Sequence, residues 1–236
     1  MRRMRIRDVM TTDVVSVTED TPYKDIVTKL AERGISAVPV VDERGRVVGI
    51  VSEADLLHKV EFTGHEPHLN LLESKRRRTA RSKAAGEYAR ELMTTPVITI
   101  SADASLTAAA RLMDDERVKR LPVVNEQGHL VGIVSRRDLL RVYLRDDEAI
   151  AADVEEQVLR RTMWIEPGVV DVSAERGVVT LRGTVDRKST AQIIVQLCTG
   201  LPGVVDVVDE LSYEYDDTAD LKRGSLSGVN VWRAEP

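Results

Sequence analysis

Two short stretches place a serine and an aspartate three residues apart: Ser52-Glu53-Ala54-Asp55 and Ser135-Arg136-Arg137-Asp138. Each directly follows an apolar run, Gly49-Ile50-Val51 and Gly132-Ile133-Val134, and each reads as the opening of a helix. A hydroxyl and a carboxylate at this spacing, beside the free N–H groups of a first helical turn, offer a donor, several acceptors and a place that favours an anion. A carboxylate accepting two hydroxyl bonds suits a ribose diol, at roughly 1.5 to 3 kcal/mol per charged bond. The same spacing is also an ordinary capping box, in which the aspartate serves only its own helix.

The two stretches are not independent. Sliding the chain by 83 positions aligns Met10-Thr11-Thr12 with Met93-Thr94-Thr95, Pro39-Val40-Val41 with Pro122-Val123-Val124, and Gly45 with Gly128, without a gap. Of the 52 pairs from Val9/Leu92 to Val60/Tyr143, 18 are identical, so one supersecondary unit occurs twice.

The elements that must carry these residues follow from local pattern. Val14 to Val17 reads as a strand, Asp20 or Thr21 as a helix cap with Pro22 in the first turn, and Tyr23, Ile26, Val27 and Leu30 as one helical face stopped by Gly34. Ile35 to Val41 reads as a buried strand whose Pro39 requires an edge or a bulge; Glu43 to Arg46 is a turn, and Val47 to Val51 leads back to Ser52. The second copy has strands Val97–Ile100, Val118–Val124 and Leu130–Val134, with helices at Ser105–Met113 and from Ser135. Each unit is therefore β-α-β-β-α. At this size it buries too little surface alone, which predicts two copies packed across a pseudo-twofold axis.

Residues 146–215 depart from the repeat. Val154, Val158 and Leu159 line a helix; Val169–Val172 and Val178–Val185 form a hairpin across Glu175-Arg176-Gly177, with Gly183 marking a bulge. A second helix carries Ala191, Ile194, Val195 and Cys198, ends at Gly200, and leads to a strand over Val204–Leu211. The order is α-β-β-α-β, and the fold class of the whole chain is α+β. Residues 216–236 lose periodicity and read as a flexible tail. The expected boundaries are 1–60 and 88–145 for the repeats, 61–87 for a connector, and 146–215 for the last domain.

Charge divides the chain in the same way. Residues 1–145 hold 25 Lys/Arg against 21 Asp/Glu, a balance of +4, whereas 146–236 hold 9 against 18, a balance of −9. The connector contains Lys75-Arg76-Arg77-Arg78-Thr79-Ala80-Arg81-Ser82-Lys83, which reads as a solvated face, with an anionic partner such as nucleic acid as the sharper alternative. A single cysteine excludes an internal disulfide and fits a reducing compartment, and no signal-type or membrane-spanning apolar run is present, so the expected location is cytoplasmic. Enzyme readings lack a motif: there is no phosphate-binding Gly-rich loop with Lys-Ser/Thr, no Gly-x-Ser-x-Gly elbow and no Cys-x-x-Cys pair. His65 and His68 lack further metal ligands, and Cys198 reads as a buried, inert thiol.

The paired Val38-Pro39-Val40-Val41-Asp42 and Gly49-Ile50-Val51-Ser52-Glu53-Ala54-Asp55, with their counterparts, resemble a tandem CBS-domain (cystathionine-β-synthase domain) module over residues 8–143. That resemblance implies an adenine nucleotide (AMP, ADP or ATP) or S-adenosylmethionine as regulatory ligand in two clefts between the repeats, with no required cofactor and no catalysis. It places the ribose on Asp138 and Asp55, with Ser135 and Ser52 near ribose or phosphate. The walls of the Asp138 cleft would be Val14, Val15, Ile35, Ser36 and Ala37, and those of the Asp55 cleft Val97, Ile98, Val118, Lys119 and Arg120. Lys119 and Arg120 would neutralise phosphate, with Arg137 as a further candidate; because Ser36 and Ala37 replace them in the first repeat, the clefts are expected to be inequivalent.

Residues 150–215 resemble a BON domain, through Gly177-Val178-Val179-Thr180-Leu181-Arg182-Gly183-Thr184-Val185 and Leu201-Pro202-Gly203-Val204-Val205-Asp206-Val207-Val208. The family is associated with phospholipid surfaces or protein partners. The acidity of this copy points to a protein or oligomer contact rather than anionic lipid. The resemblances together imply a regulatory sensor, a homodimer by way of the CBS pair, and a protein partner reached through the BON domain. An interaction scaffold with vestigial clefts is the alternative, and neither nucleic acid nor a membrane surface is the expected partner.

Overall fold

β-Branched runs bounded by Gly and Pro make short strands, and each repeat folds three of them into one sheet. The computed structural model describes residues 4–61 and 82–218. In the first repeat β1 (Val17–Thr18) lies parallel to β2 (Ala37–Val41), which pairs antiparallel with β3 (Val47–Ser52). In the second, β4 (Ile100–Ser101), β5 (Arg120–Val124) and β6 (Leu130–Ser135) repeat the order and the register shift near the end of the central strand. The helices Tyr23–Arg33 and Leu106–Asp115 cover the sheets, burying Ile26 and Leu30 in one and Ala109 and Met113 in the other. Glu53–Glu61 and the shorter Arg136–Leu140 follow the third strands.

Residues 5–139 form one compact unit, and its halves exchange their leading segments. Ile6, Val9 and Met10 pack into the core of the second repeat, whereas Ala89, Leu92 and Met93 pack into that of the first. Thr11 and Ile133 exchange backbone hydrogen bonds of 3.0 and 2.9 Å, and Ile50 and Thr94 exchange bonds of 3.3 and 2.8 Å. The turns cross reciprocally as well: Val47 donates to the Gly128 carbonyl and its counterpart Leu130 to that of Gly45, while Arg46 and His129 form the bridge between them. Such reciprocity is what a pseudo-twofold axis produces.

Several local expectations change. Pro22 is the N-cap of its helix rather than a first-turn residue, because the Thr21 hydroxyl is engaged with the Thr18 amide. Strand structure begins only at Val17 and Ile100, so Val14, Val15, Val97 and Ile98 lie ahead of the sheets. Pro39 lies in the central strand, yet β1 pairs only with Val40 and Val41, so its missing N–H interrupts no pairing to β1. Gly34, at φ 60°, closes the first helix in the left-handed conformation that glycine adopts readily.

Residues 140–218 belong to a second unit. Its helix Asp147–Asp153 continues as π-helical turns over Val154–Arg160, and β7 (Val170–Glu175), β8 (Val178–Arg187), the helix Lys188–Thr199 and β9 (Asp206–Tyr215) follow. β8 is central, antiparallel to β7 and parallel to β9. Val154, Val158, Leu159, Val179, Leu181, Ile194 and Cys198 fill the core. Gly183 marks no bulge: it pairs in continuous register with Val170, and a Cβ there would stand 3.1 Å from the Val170 Cα, against the carbonyl of Val169. Residues 216 and 217, expected in a loose tail, are bound: Lys188 donates to Asp216, and the Ser189 amide and hydroxyl donate to the buried Asp217.

Candidate functional site

In both repeats the third strand delivers the serine and the helix behind it returns the aspartate. Asp55 Oδ2 accepts from the Ser52 amide at 2.8 Å and from Ser52 Oγ at 2.6 Å. Asp138 Oδ2 accepts from Ser135 at the same two distances. One oxygen of each carboxylate thus does the local work of the capping box, and the two sites differ at the other oxygen.

At Asp55, Oδ1 accepts from Lys83 Nζ at 2.5 Å and from Thr94 Oγ1 at 3.3 Å, and Lys83 also donates to Thr94 Oγ1 at 2.8 Å. Lys83 and Asp55 keep only 11% and 13% of their side-chain exposure. The connector reaches this place because its end is held down: Lys59 donates to the Gly86 carbonyl at 3.1 Å, and the Tyr23 amide donates to that of Glu87 at 2.7 Å. Lys83 is therefore not part of a solvated face. The rest of the basic run, Lys75 to Arg81, lies outside the described residues, as do His65 and His68.

At Asp138, Oδ1 has no hydrogen-bond or ion-pair partner among the described residues. Arg120 stands nearby. It pairs with Ser135 in the sheet, its guanidinium donates to the Ser36 hydroxyl of the other repeat, and it feels the carboxylates of Glu53 and Asp138. Burial pushes its pKa below the ordinary arginine value, and those two carboxylates oppose the shift. Arg120 is thus a cation shared across the repeat boundary, between Ser36 and Glu53 of the first repeat and Asp138 of its own.

The remaining expected residues divide by burial. Ala37 is buried in its strand, whereas Val14, Val15, Ile35, Ser36, Val97, Ile98 and Val118 are half-buried. Val15 and Ile35 lean on the first core, Ile98 and Val118 on the second. Lys119 and Arg137 are exposed; the carbonyl of Lys119 accepts the Arg136 amide, which keeps it beside Ser135 of its own repeat. Thr94 carried a signal in the aligned Met-Thr-Thr triplets, as did its counterpart Thr11, while nothing local distinguishes Lys83 from its basic neighbours. Among the described residues no cluster of His, Cys, Asp and Glu could hold a metal, and no helix is long and apolar enough to cross a membrane.

Comparison with known proteins agrees with this architecture. The CBS domain family matches residues 6–61 and 89–145, and the BON domain family matches 146–215. Uncharacterized protein MK0525 of Methanopyrus kandleri is 31% identical over 158 residues, covering 67% of this chain and 70% of that protein. Uncharacterized protein MJ1404 of Methanocaldococcus jannaschii is 30% identical over 222 residues, 91% of this chain but 47% of its own length. Among solved structures, CBSX2 of Arabidopsis thaliana in complex with AMP matches with a TM-score of 0.52 at 29% identity, covering 59% of this chain and 96% of that one. The duplicated sheets, the reciprocal contacts between them and these matches lead to one assignment: the chain belongs to the CBS-domain proteins, as a tandem CBS pair followed by a BON domain.

Proposed function

We propose that this chain is a non-catalytic regulatory protein that binds an adenine nucleotide at Asp138 and relays the binding to a protein partner through its BON domain. One observation carries the reading: Asp138 holds one oxygen on Ser135 and has a second acceptor oxygen without a protein partner among the described residues, beside the cation of Arg120. A ribose diol donates two hydroxyls and suits such an acceptor, and a guanidinium suits the phosphate. CBSX2, solved with AMP, supports the ligand class. In this reading Val14, Val15, Ile35 and Ser36 contribute the wall from the first repeat, and Lys119 and Arg137 stand at the phosphate rim. Binding across the boundary between repeats favours one mutual packing over another, and this differential affinity is what a cytoplasmic homodimer would pass to the BON domain.

Thermal unfolding with AMP, ADP, ATP and S-adenosylmethionine tests the reading. A ligand at 100 times its Kd adds about 2.7 kcal/mol, a rise of roughly 5 to 10 °C for a unit of this size. Asp138→Ala should abolish the rise. No rise with any of the four would leave an interaction scaffold with vestigial clefts, and an undiminished rise in Asp138→Ala would move the ligand elsewhere.

A further inference from the structure

The pseudo-twofold relates Asp55 to Asp138 and Thr94 to Thr11, yet the two carboxylates meet different neighbours. Asp55 Oδ1, the counterpart of the partner-free oxygen at Asp138, is held by Lys83 Nζ at 2.5 Å, and the same ammonium reaches Thr94 Oγ1 at 2.8 Å. An ammonium has three donors and a full charge, so it satisfies the acceptor that a ribose hydroxyl would otherwise use. A diol entering there would have to displace a nearly buried cation and leave it without its counter-charge, which is costly. Lys83 is also tethered. The hydrogen bond from Lys59 to the Gly86 carbonyl fixes the chain three residues on, so the ammonium competes at the high effective concentration of an intramolecular ligand.

We propose that Lys83 is a built-in occupant of the Asp55 side: the chain closes one of its two symmetry-related sites with its own side chain and takes a single adenine nucleotide, at Asp138. This rests on the sensor reading above. It adds a specificity-determining residue from the connector, and it makes the module one-sited although its two Ser-x-x-Asp motifs are intact. Site inequivalence then arises from a residue outside both repeats, in addition to the replacement of Lys119 and Arg120 by Ser36 and Ala37.

Isothermal titration of the full-length chain with AMP measures the stoichiometry. The wild type should take one nucleotide per chain, Lys83→Met two, and Lys83→Met combined with Asp138→Asn one again, now at Asp55. A wild type that takes two, or a folded Lys83→Met variant that still takes one, overturns the inference while leaving the sensor reading standing. A wild type that takes none removes the sensor reading and the inference with it. Should Lys83→Met not fold, the wild type still decides. Under reductive methylation read by mass spectrometry, Lys83 should react slowly and stay equally protected at saturating AMP; exposure of Lys83 by AMP would show that the ligand enters at Asp55.

Discussion

The ammonium of Lys83 and the carboxylate of Asp55 come within 2.5 Å across 28 residues of chain, both almost withdrawn from solvent. A pair so placed cannot lose one member cheaply, because the survivor stays desolvated. Lys83→Met should destabilise the CBS unit by about 2 to 4 kcal/mol in urea unfolding. Adding Asp55→Asn should return a large part of that loss, since an amide does not need a counter-ion. A single variant as stable as the wild type would mean that the pair is not formed in solution.

The exchange of leading segments depends on two glycines. A Cβ on Gly132 would stand 2.6 Å from Met10 Sδ and 3.1 Å from the Thr11 carbonyl, and the three nearest atoms to one on Gly49 are Cγ, Sδ and Cβ of Met93, the Cβ at 3.0 Å. A thioether tip can move aside, but neither a paired backbone nor a side chain's own Cβ can. Gly132→Ala and Gly49→Ala should therefore each cost about 1 to 3 kcal/mol, as read from denaturation midpoints. Either variant as stable as the wild type would contradict the close approach of the leading segments.

The last domain should respond to acid where residues 216 and 217 clasp its second helix. Hydrogen bonds from Lys188 and then Thr218 hold the Asp216 carboxyl at about 2, below its ordinary 3.8, and the bond from Ser189 lowers that of Asp217. A depressed carboxylate stabilises the folded form above its ordinary value and loses that contribution as pH falls through the depressed one. The clasp of residues 216 and 217 on the helix Lys188–Thr199 should therefore open between about pH 4 and pH 2. The protection of the Ser189 amide against exchange, relative to the unfolded chain at the same pH, should fall over that interval, and Asp217→Asn should remove the transition; protection that is flat with pH would refute it.

Cys198 is fully buried, and desolvation pushes its thiol up to about 12. A thiol in that state is almost entirely protonated near neutrality, and the thiolate is the reactive species. Folded protein at pH 8 should react with a thiol-specific disulfide reagent orders of magnitude more slowly than urea-unfolded protein. Equal rates would place the side chain outside the core.

Much of this was readable residue by residue, and the limit follows contact distance. The duplication, the helix stopped at Gly34, the turn through Arg176 and Gly177, and both serine–aspartate pairs depend on neighbours within a few positions, so spacing and residue type suffice. Gly183 reads locally as a bulge, whereas its reason is a close approach of the Val169 carbonyl, which no local pattern announces.

Sequence alone determined that two like units and an acidic third domain exist, and that each unit carries a carboxylate where a helix begins, since periodicity and chain-local hydrogen bonding are written into consecutive residues. Tertiary structure decided which carboxylate is occupied. Lys83 meets Asp55 from 28 positions away, and Arg120 meets Ser36 from 84. Such meetings depend on how the repeats exchange their leading segments and where the connector returns, a balance of burial and desolvation that belongs to the folded whole.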